Sequence, residues 1–184
     1  MEPKYYRNWH LAKNEDELHI TEFEYSVIRF HEAFLRWIST VGGIFIASEM
    51  SYAEHLILHV VRMQDRPKTS TMIGRMINRD DIPNIQYSLR KLEAAKLVRK
   101  FKEKGSKTYT YAVTAPGIKA TDDYSRFRSE LLVNGIKSLG GINERIGATT
   151  QVMSLLTGIY EEASRNASSY ASSAQEAEVS EAKV

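Results

Sequence analysis

The chain is expected to be mainly α-helical with one small β-hairpin. Three observations lead there. Apolar residues recur at helical spacing along most of the 184 residues, while strict alternation occurs in one short stretch, Thr108 to Val113. Capping signatures mark several helix starts. The segment from Arg62 to Lys107 reads as helix, turn, helix and hairpin, and holds 13 Lys/Arg against 5 Asp/Glu, a balance of +8 in a chain whose total is +2. The flanks are acidic: residues 1–61 carry 5 basic and 9 acidic side chains, and residues 108–184 carry 7 and 9. A basic block in this order between acidic flanks is the footprint of a surface that meets phosphates.

Residues 1–20 are polar without a clear period and are read as an N-terminal arm. Thr21-Glu22-Phe23-Glu24 forms a Thr-x-x-Glu capping box. A long helix follows, with Phe23, Val27, Phe30, Phe34, Trp37, Val41 and Phe45 along a narrow seam and Gly42-Gly43 as a weak point near its end. Seams of this kind pair with another helix. Ser51-Tyr52-Ala53-Glu54 is a second capping box, opening a helix that runs to about Met63, and Pro67 breaks the chain. A short helix spans about Ser70 to Ile77. Asn78-Arg79-Asp80-Asp81 is a turn with carboxylates suited to capping.

The next helix has Pro83 in its first turn, where a missing N–H costs nothing. Ile85, Leu89 and Leu92 recur at i, i+4, i+7 and face the core, which leaves Asn84, Gln86, Tyr87, Ser88, Arg90 and Lys91 on the remaining arc. Two short strands follow, joined by the basic turn Lys102 to Lys107. In the second, Tyr109, Tyr111 and Val113 alternate with Thr108, Thr110 and Ala112. Thr114-Ala115-Pro116 starts a helix carrying Ile118, Tyr124, Phe127 and Leu131, within which Asp122-Asp123, like Asp80-Asp81, reads as helix-start charge. Gly140-Gly141 precedes a last helix with Ile146, Val152, Leu156 and Ile159. The resulting division is an arm (1–20), a helical dimerisation region (21–48 and 115–165), a winged helix-turn-helix (49–114) and a disordered Ser/Ala/Glu tail (166–184).

Hydrophobic content of 42% and charged content of 26% suit one ordinary globular core. Apolar runs are too short for a membrane-spanning helix, and MEPKYYRNWHLAKNEDELH lacks the apolar stretch of a signal peptide, so a cytoplasmic protein is expected. There is no cysteine, which excludes disulfides, thiol nucleophiles, thiolate zinc sites and thiol-based sensing.

Two helices, a short turn and a basic hairpin make a winged helix-turn-helix. A helix fits the major groove, where amides and guanidinium groups match base edges, and a hairpin lies along the backbone or minor groove. Asn84 and Gln86 suit adenine; Arg90 and Lys91 suit guanine or phosphate, with Lys91 placed opposite the core stripe. Tyr87 either touches DNA or covers the turn. Thr69, Ser70, Pro83, Lys102, Lys104 and Lys107 complete the expected double-stranded DNA contacts.

The run SLRKLEAAKLVRKFKEKGSKTYTYAVTAPGIK resembles the MarR family of bacterial regulators, with its recognition helix, Leu-Glu-x-x-Gly-Leu-Val, wing, and Leu-Thr-x-x-Gly. ITEFEYSVIRFHEAFLRWI resembles a proteobacterial subgroup with a Glu-Phe-Glu-Tyr start and an Arg-Trp pair. The likeness spans about residues 20 to 165 in architecture and is specific over about 70 to 120. Lys96 departs from it, standing where a helix-ending Gly is usual, so a left-handed lysine is expected. The turn before the recognition helix is one residue longer than usual. The wing lacks Asp-x-Arg, leaving the lysines as point charges. The resemblance implies a homodimer reading a pseudo-palindromic operator, repression by default, and a small aromatic or carboxylate effector between the dimer and DNA-binding regions. The alternative is a winged-helix protein-interaction module without specific DNA binding.

His31, Phe34, Trp37, His55 and His59 are the candidates for an effector site. Each has a plain core or surface reading beside it; Arg36, next to Trp37, is either an effector anchor or half of a surface ion pair. His55 and His59 stand at i, i+4, a zinc-capable spacing, but no third ligand follows at helical spacing, so no metal and no cofactor is expected. No phosphate loop, nucleophile motif or framed carboxylate pair occurs, and a non-enzyme is expected.

Overall fold

The structure, a computed structural model, describes residues 9–46, 50–102 and 104–181. Parts of the expected arm and tail, residues 47–49, and Glu103 of the wing lie outside the described residues. The chain divides into two units, one ending at Phe127 and the other starting at Arg128.

In the first unit α1 spans Glu15–Phe45. It begins six residues before the expected Thr21 box. The Asn14 side chain accepts the Glu17 N–H at 2.9 Å, and the Glu17 carboxylate accepts the Lys13 N–H at 2.6 Å. Glu15, Asp16 and Glu17 place negative charge at the positive end of the helix. Thr21 is instead a buried mid-helix residue whose hydroxyl donates to Glu17 O at 2.7 Å. The expected seam is buried only toward the end of α1. Ile38, Val41 and Gly42 are buried, whereas Phe30 is 69% exposed and Ile20 and Ile28 are more than half exposed.

The helix α2 (Tyr52–Arg62) opens on the Ser51/Glu54 capping box and ends in a tight turn, Met63–Asp65, where Gln64 and Asp65 take positive φ. Helix α3 spans Ser70–Met76, capped by the Thr69 hydroxyl, which accepts the Met72 N–H at 3.1 Å. Asn78, at φ 54°, turns the chain into α4 (Ile82–Ala94), whose N-cap is Asp81. Ile57, Leu58 and Val61 of α2, Ile73 of α3, and Ile85, Leu89 and Leu92 of α4 form one core, closed by Leu97, Val98 and Tyr111. Strands β1 (Val98–Phe101) and β2 (Thr110–Val113) pair antiparallel with Val98 opposite Val113, and a single bridge joins Lys68 to Tyr111.

Lys96 has φ 60°, as its place after α4 predicts. A β-carbon is costly there, so Lys96→Gly should stabilise the protein by about 0.5–1 kcal/mol despite the extra freedom of glycine in the unfolded chain. A rise of roughly 1–4 °C in Tm by circular dichroism is the expected result.

Helix α5 (Ala115–Arg128) starts at Thr114, whose hydroxyl accepts the Gly117 N–H at 3.3 Å and donates to Lys96 O and Leu97 O at 2.6 and 3.0 Å. Asp122 and Asp123 lie inside this helix rather than at a helix start. Asp123 accepts from Lys119 at 2.6 Å and pairs with Arg126.

The second unit continues through a π-helical turn, Ser129–Val133, into α6 (Asn134–Lys137) and then α7 (Ile142–Glu181). The last helix crosses the segment expected to be a disordered tail. Its Ala and Glu residues favour helix, no Gly or Pro follows Gly158, and Ser168 and Ser169 turn their hydroxyls back to carbonyls of the preceding turn. Ile146, Val152, Leu155 and Ile159 are exposed along it.

Candidate nucleic-acid interface

Helix α4 presents two chemically different faces. Ile85, Ser88, Leu89 and Leu92 are buried; Asn84, Gln86, Tyr87 and Arg90 point outward. Across from this outer face the N-terminus of α3 and the hairpin form a cleft of about 380 Å³ lined by Thr69, Ser70, Thr71, Gln86, Arg90, Lys100, Thr108, Tyr109 and Tyr111. Its lining carries two cations, several hydroxyls and no carboxylate, which is a surface fit for phosphate oxygens.

Aromatic rings hold the cations in place. The Lys100 ammonium lies 4.0 Å from the Tyr109 ring centre and Lys102 lies 5.5 Å from the same ring, while the Arg90 guanidinium lies 5.8 Å from Tyr87. Tyr87 is 54% exposed on the outward face of α4. Lys104 and Lys107 sit exposed at the hairpin tip, where Gly105 takes φ 87°.

Two expected contacts are placed differently. Lys91 does not stand free: its ammonium is 3.2 Å from the carboxylate of buried Glu54 on α2. Asn84 donates its side-chain amide to the Asp81 carboxylate, which also accepts the Asn84 N–H at 3.2 Å, so the amide is engaged at the helix cap. The Thr69 hydroxyl accepts the α3 cap hydrogen bond and keeps its own proton to donate into the cleft it lines. Pro83 is exposed in the first turn of α4, and Ser70 lines the cleft. Thr71, Lys100, Thr108 and Tyr109 join the cleft without having been singled out as contacts. The alternation of Tyr109 and Tyr111 about Thr110 was the available signal for Thr108 and Tyr109, just ahead of β2.

The expected effector residues separate. Trp37 donates its indole N–H to the Tyr124 hydroxyl at 3.1 Å, and the His59 ring lies 4.4 Å from that of Tyr124. The His55 ring covers Gly42 so closely that a β-carbon there would lie 2.3 Å from it. Phe34, 39% exposed, meets Tyr52 edge-on, and His31 is exposed on α1 away from this cluster. Arg36 pairs with Glu32 at 3.9 Å on the surface. Among the described residues no group of three potential ligands gathers to hold a metal ion.

Burial, aided by the neighbouring His55, pushes the His59 pKa down from 6.5 to about 4. Burial likewise lowers His55, against the pull of the Glu54 charge. The unfolded chain therefore takes up a proton at His59 near pH 6.5 that the native state refuses until about pH 4. Stability is full above pH 6.5 and is lost as the pH falls toward 4, by at most about 3 kcal/mol in total. Urea unfolding at pH 7.5, 6 and 5 should show this decline, and His59→Leu should flatten it.

Residues 50–117 match the family model described as a winged helix DNA-binding domain. The matched stretch runs from α2 into α5, so α4 and the hairpin stand where a winged helix domain has the second helix of its helix-turn-helix and its wing. The chain has the fold of the MarR-type regulators. It aligns with the MarR family transcription regulator SP03579 at 15% identity, covering 80% of this chain and 96% of that one, with a TM-score of 0.59. Reduced AbfR bound to DNA aligns at 16% identity, 79% and 99% coverage and a TM-score of 0.63. The S. aureus MepR–DNA complex aligns at 19% identity, 70% and 96% coverage and a TM-score of 0.55. No curated protein matches the chain. Among the described residues no helix is long and apolar enough to cross a membrane.

Proposed function

We propose that the protein is a homodimeric, cytoplasmic, sequence-specific transcription regulator, a repressor by default, whose operator binding responds to a small effector. The observation that carries this reading is the carboxylate-free cleft in which Gln86 and Arg90 of α4 and Lys100 of the wing converge. Two of the structures that share its fold are DNA complexes, AbfR and MepR. Exposed apolar side chains on α1 (Ile20, Ile28, Phe30) in the first unit, and separately on α7 (Val152, Leu155, Ile159) in the second, supply surfaces that a second copy would cover. Dimerisation would set two recognition helices about one DNA turn apart on a pseudo-palindrome. Trp37 and His59, each in contact with Tyr124, are the proposed place for an aromatic or carboxylate effector. We assign the protein no catalytic step.

The test is fluorescence anisotropy on genomic fragments selected by the protein, against a shuffled duplex, at several salt concentrations. Arg90→Ala and Gln86→Ala should each weaken operator binding by about 1–3 kcal/mol, and Lys102→Ala should lower the salt slope by about one. Equal, weak binding of wild type to both duplexes would favour a protein-docking module instead.

A further inference from the structure

We propose that Glu54 is a positioning residue for the recognition helix, and that Lys91 serves DNA recognition by gripping Glu54 rather than by touching phosphate. This rests on the DNA-binding reading above. Glu54 belongs to the cap of α2, yet its carboxylate reaches across to α4. One oxygen accepts the Ser88 hydroxyl at 3.0 Å; the other accepts the Ser51 N–H at 2.7 Å, the Ser51 hydroxyl, and the Lys91 ammonium at 3.2 Å. The Glu54 side chain is 3% exposed, and Lys91 covers it from the solvent side at 38%. Burial raises the Glu54 pKa, but the hydrogen bonds from Ser51, Ser88 and Lys91 outweigh it and hold the carboxyl below its ordinary value.

The geometry has a specific consequence. Ser88 and Lys91 stand three residues apart, on one face of α4, and Gln86 and Arg90 stand on another. Burial of the apolar stripe of Ile85, Leu89 and Leu92 is non-directional and fixes the roll of the helix less sharply than a directional hydrogen bond does. A carboxylate held by two donors on α4 supplies such bonds. Side chains extend about 6 Å from a helix axis, so a 10° roll displaces their tips by about 1 Å, enough to spoil a hydrogen bond to a base edge. Glu54 therefore sets the angle at which Gln86 and Arg90 enter the groove. A Lys91 drawn off to a phosphate would leave that carboxylate buried without its cation.

The experiment compares full-length wild type with Glu54→Gln, Lys91→Met, the double variant, and Ser88→Ala as the milder perturbation. Affinity is measured for the selected operator and for a shuffled duplex across salt, with unfolding midpoints alongside. Lys91→Met should keep the wild-type salt slope on both duplexes while the operator-to-shuffled ratio falls about tenfold. Glu54→Gln should lose a similar ratio, the double variant should be no worse than either single, and Ser88→Ala should lose about threefold. A slope lowered by about one in Lys91→Met would show a direct phosphate contact and overturn the proposal. An unchanged ratio in Glu54→Gln or Ser88→Ala, with only a lower midpoint, would reduce Glu54 to a helix cap and overturn it as well. If wild type discriminates and Glu54→Gln discriminates equally, the positioning role alone fails. If wild type shows no preference among duplexes, the regulator reading fails and takes the positioning role with it.

Discussion

Lys68→Ala is expected to cost about 3–5 kcal/mol and to lower Tm by roughly 10 °C, the largest single effect predicted for the protein. Lys68 is fully buried. Its ammonium donates to Val61 O at 3.2 Å, to Arg66 O at 3.0 Å and to Met63 O. These carbonyls belong to the end of α2 and the turn after it, where helix geometry leaves acceptors without partners. The turn is itself strained, with Gln64 and Asp65 at positive φ, and the lysine is the group on which it closes. Burial and the nearby Arg66 charge lower the Lys68 pKa while Asp65 raises it, so the charged form is held at a cost that the three carbonyls offset. Truncation removes the donors and leaves a cavity. The main chain of Lys68 also bridges Tyr111, with N–H to O distances of 3.0 and 2.9 Å, so the wing should loosen together with the turn. Thermal unfolding followed by circular dichroism tests the magnitude. Lys68→Met separates the two causes, since it fills most of the volume but donates nothing. A Met variant within about 1 kcal/mol of wild type would mean that packing, not the carbonyl contacts, sets the effect.

Gly117→Ala should be the next most damaging change, at about 3 kcal/mol. A β-carbon at this position would lie 2.1 Å from Leu97 O and 2.7 Å from Val113 Cγ2. The first obstacle is backbone, so no side-chain rotation relieves it. Either the start of α5 must lift from the strands or β1 must move, and both motions break the contacts that Thr114 makes with Lys96 O and Leu97 O. Urea unfolding should show a lower midpoint with an unchanged slope, the sign of lost stability without a change in the unfolded chain.

Much of the fold was legible in the sequence because local rules and burial agree there. The Ile85, Leu89, Leu92 stripe, the Ser51 box, Pro83 and the alternating strand each point to the element that forms, and Lys96 adopts the left-handed conformation its position requires. Two errors have physical causes. Asn14 and Thr21 both begin an N-cap pattern with Glu three residues on; the first wins because Glu15, Asp16 and Glu17 extend the helix over a stretch too polar to show an apolar period. The Ser/Ala/Glu segment after Ala163 looks like a tail by its lack of apolar residues, yet helix propensity alone, continuing from an established helix, carries α7 to Glu181.

The outward face of α4 was legible as an arc but not residue by residue. Periodicity places Lys91 on the polar side of α4, and only the packing of α2 reveals a buried carboxylate waiting beneath it. Asn84 likewise satisfies the outward period while its amide is spent on Asp81. Lys100 is the converse case: as one lysine in a basic run it carries no mark, and its place in the cleft follows from the register that sets it opposite Tyr111.

With 40 residues, α7 measures about 60 Å from end to end at 1.5 Å per residue. A rod of that length is a lever. A tilt of 5° about its first turn sweeps its far end through about 5 Å, so a packing change too small to see near Ile146 becomes a measurable displacement near Glu181. Because the chain contains no cysteine, one thiol introduced at that end would carry a spin or fluorescent label alone, and would report motions of this helix that leave the DNA-binding face untouched.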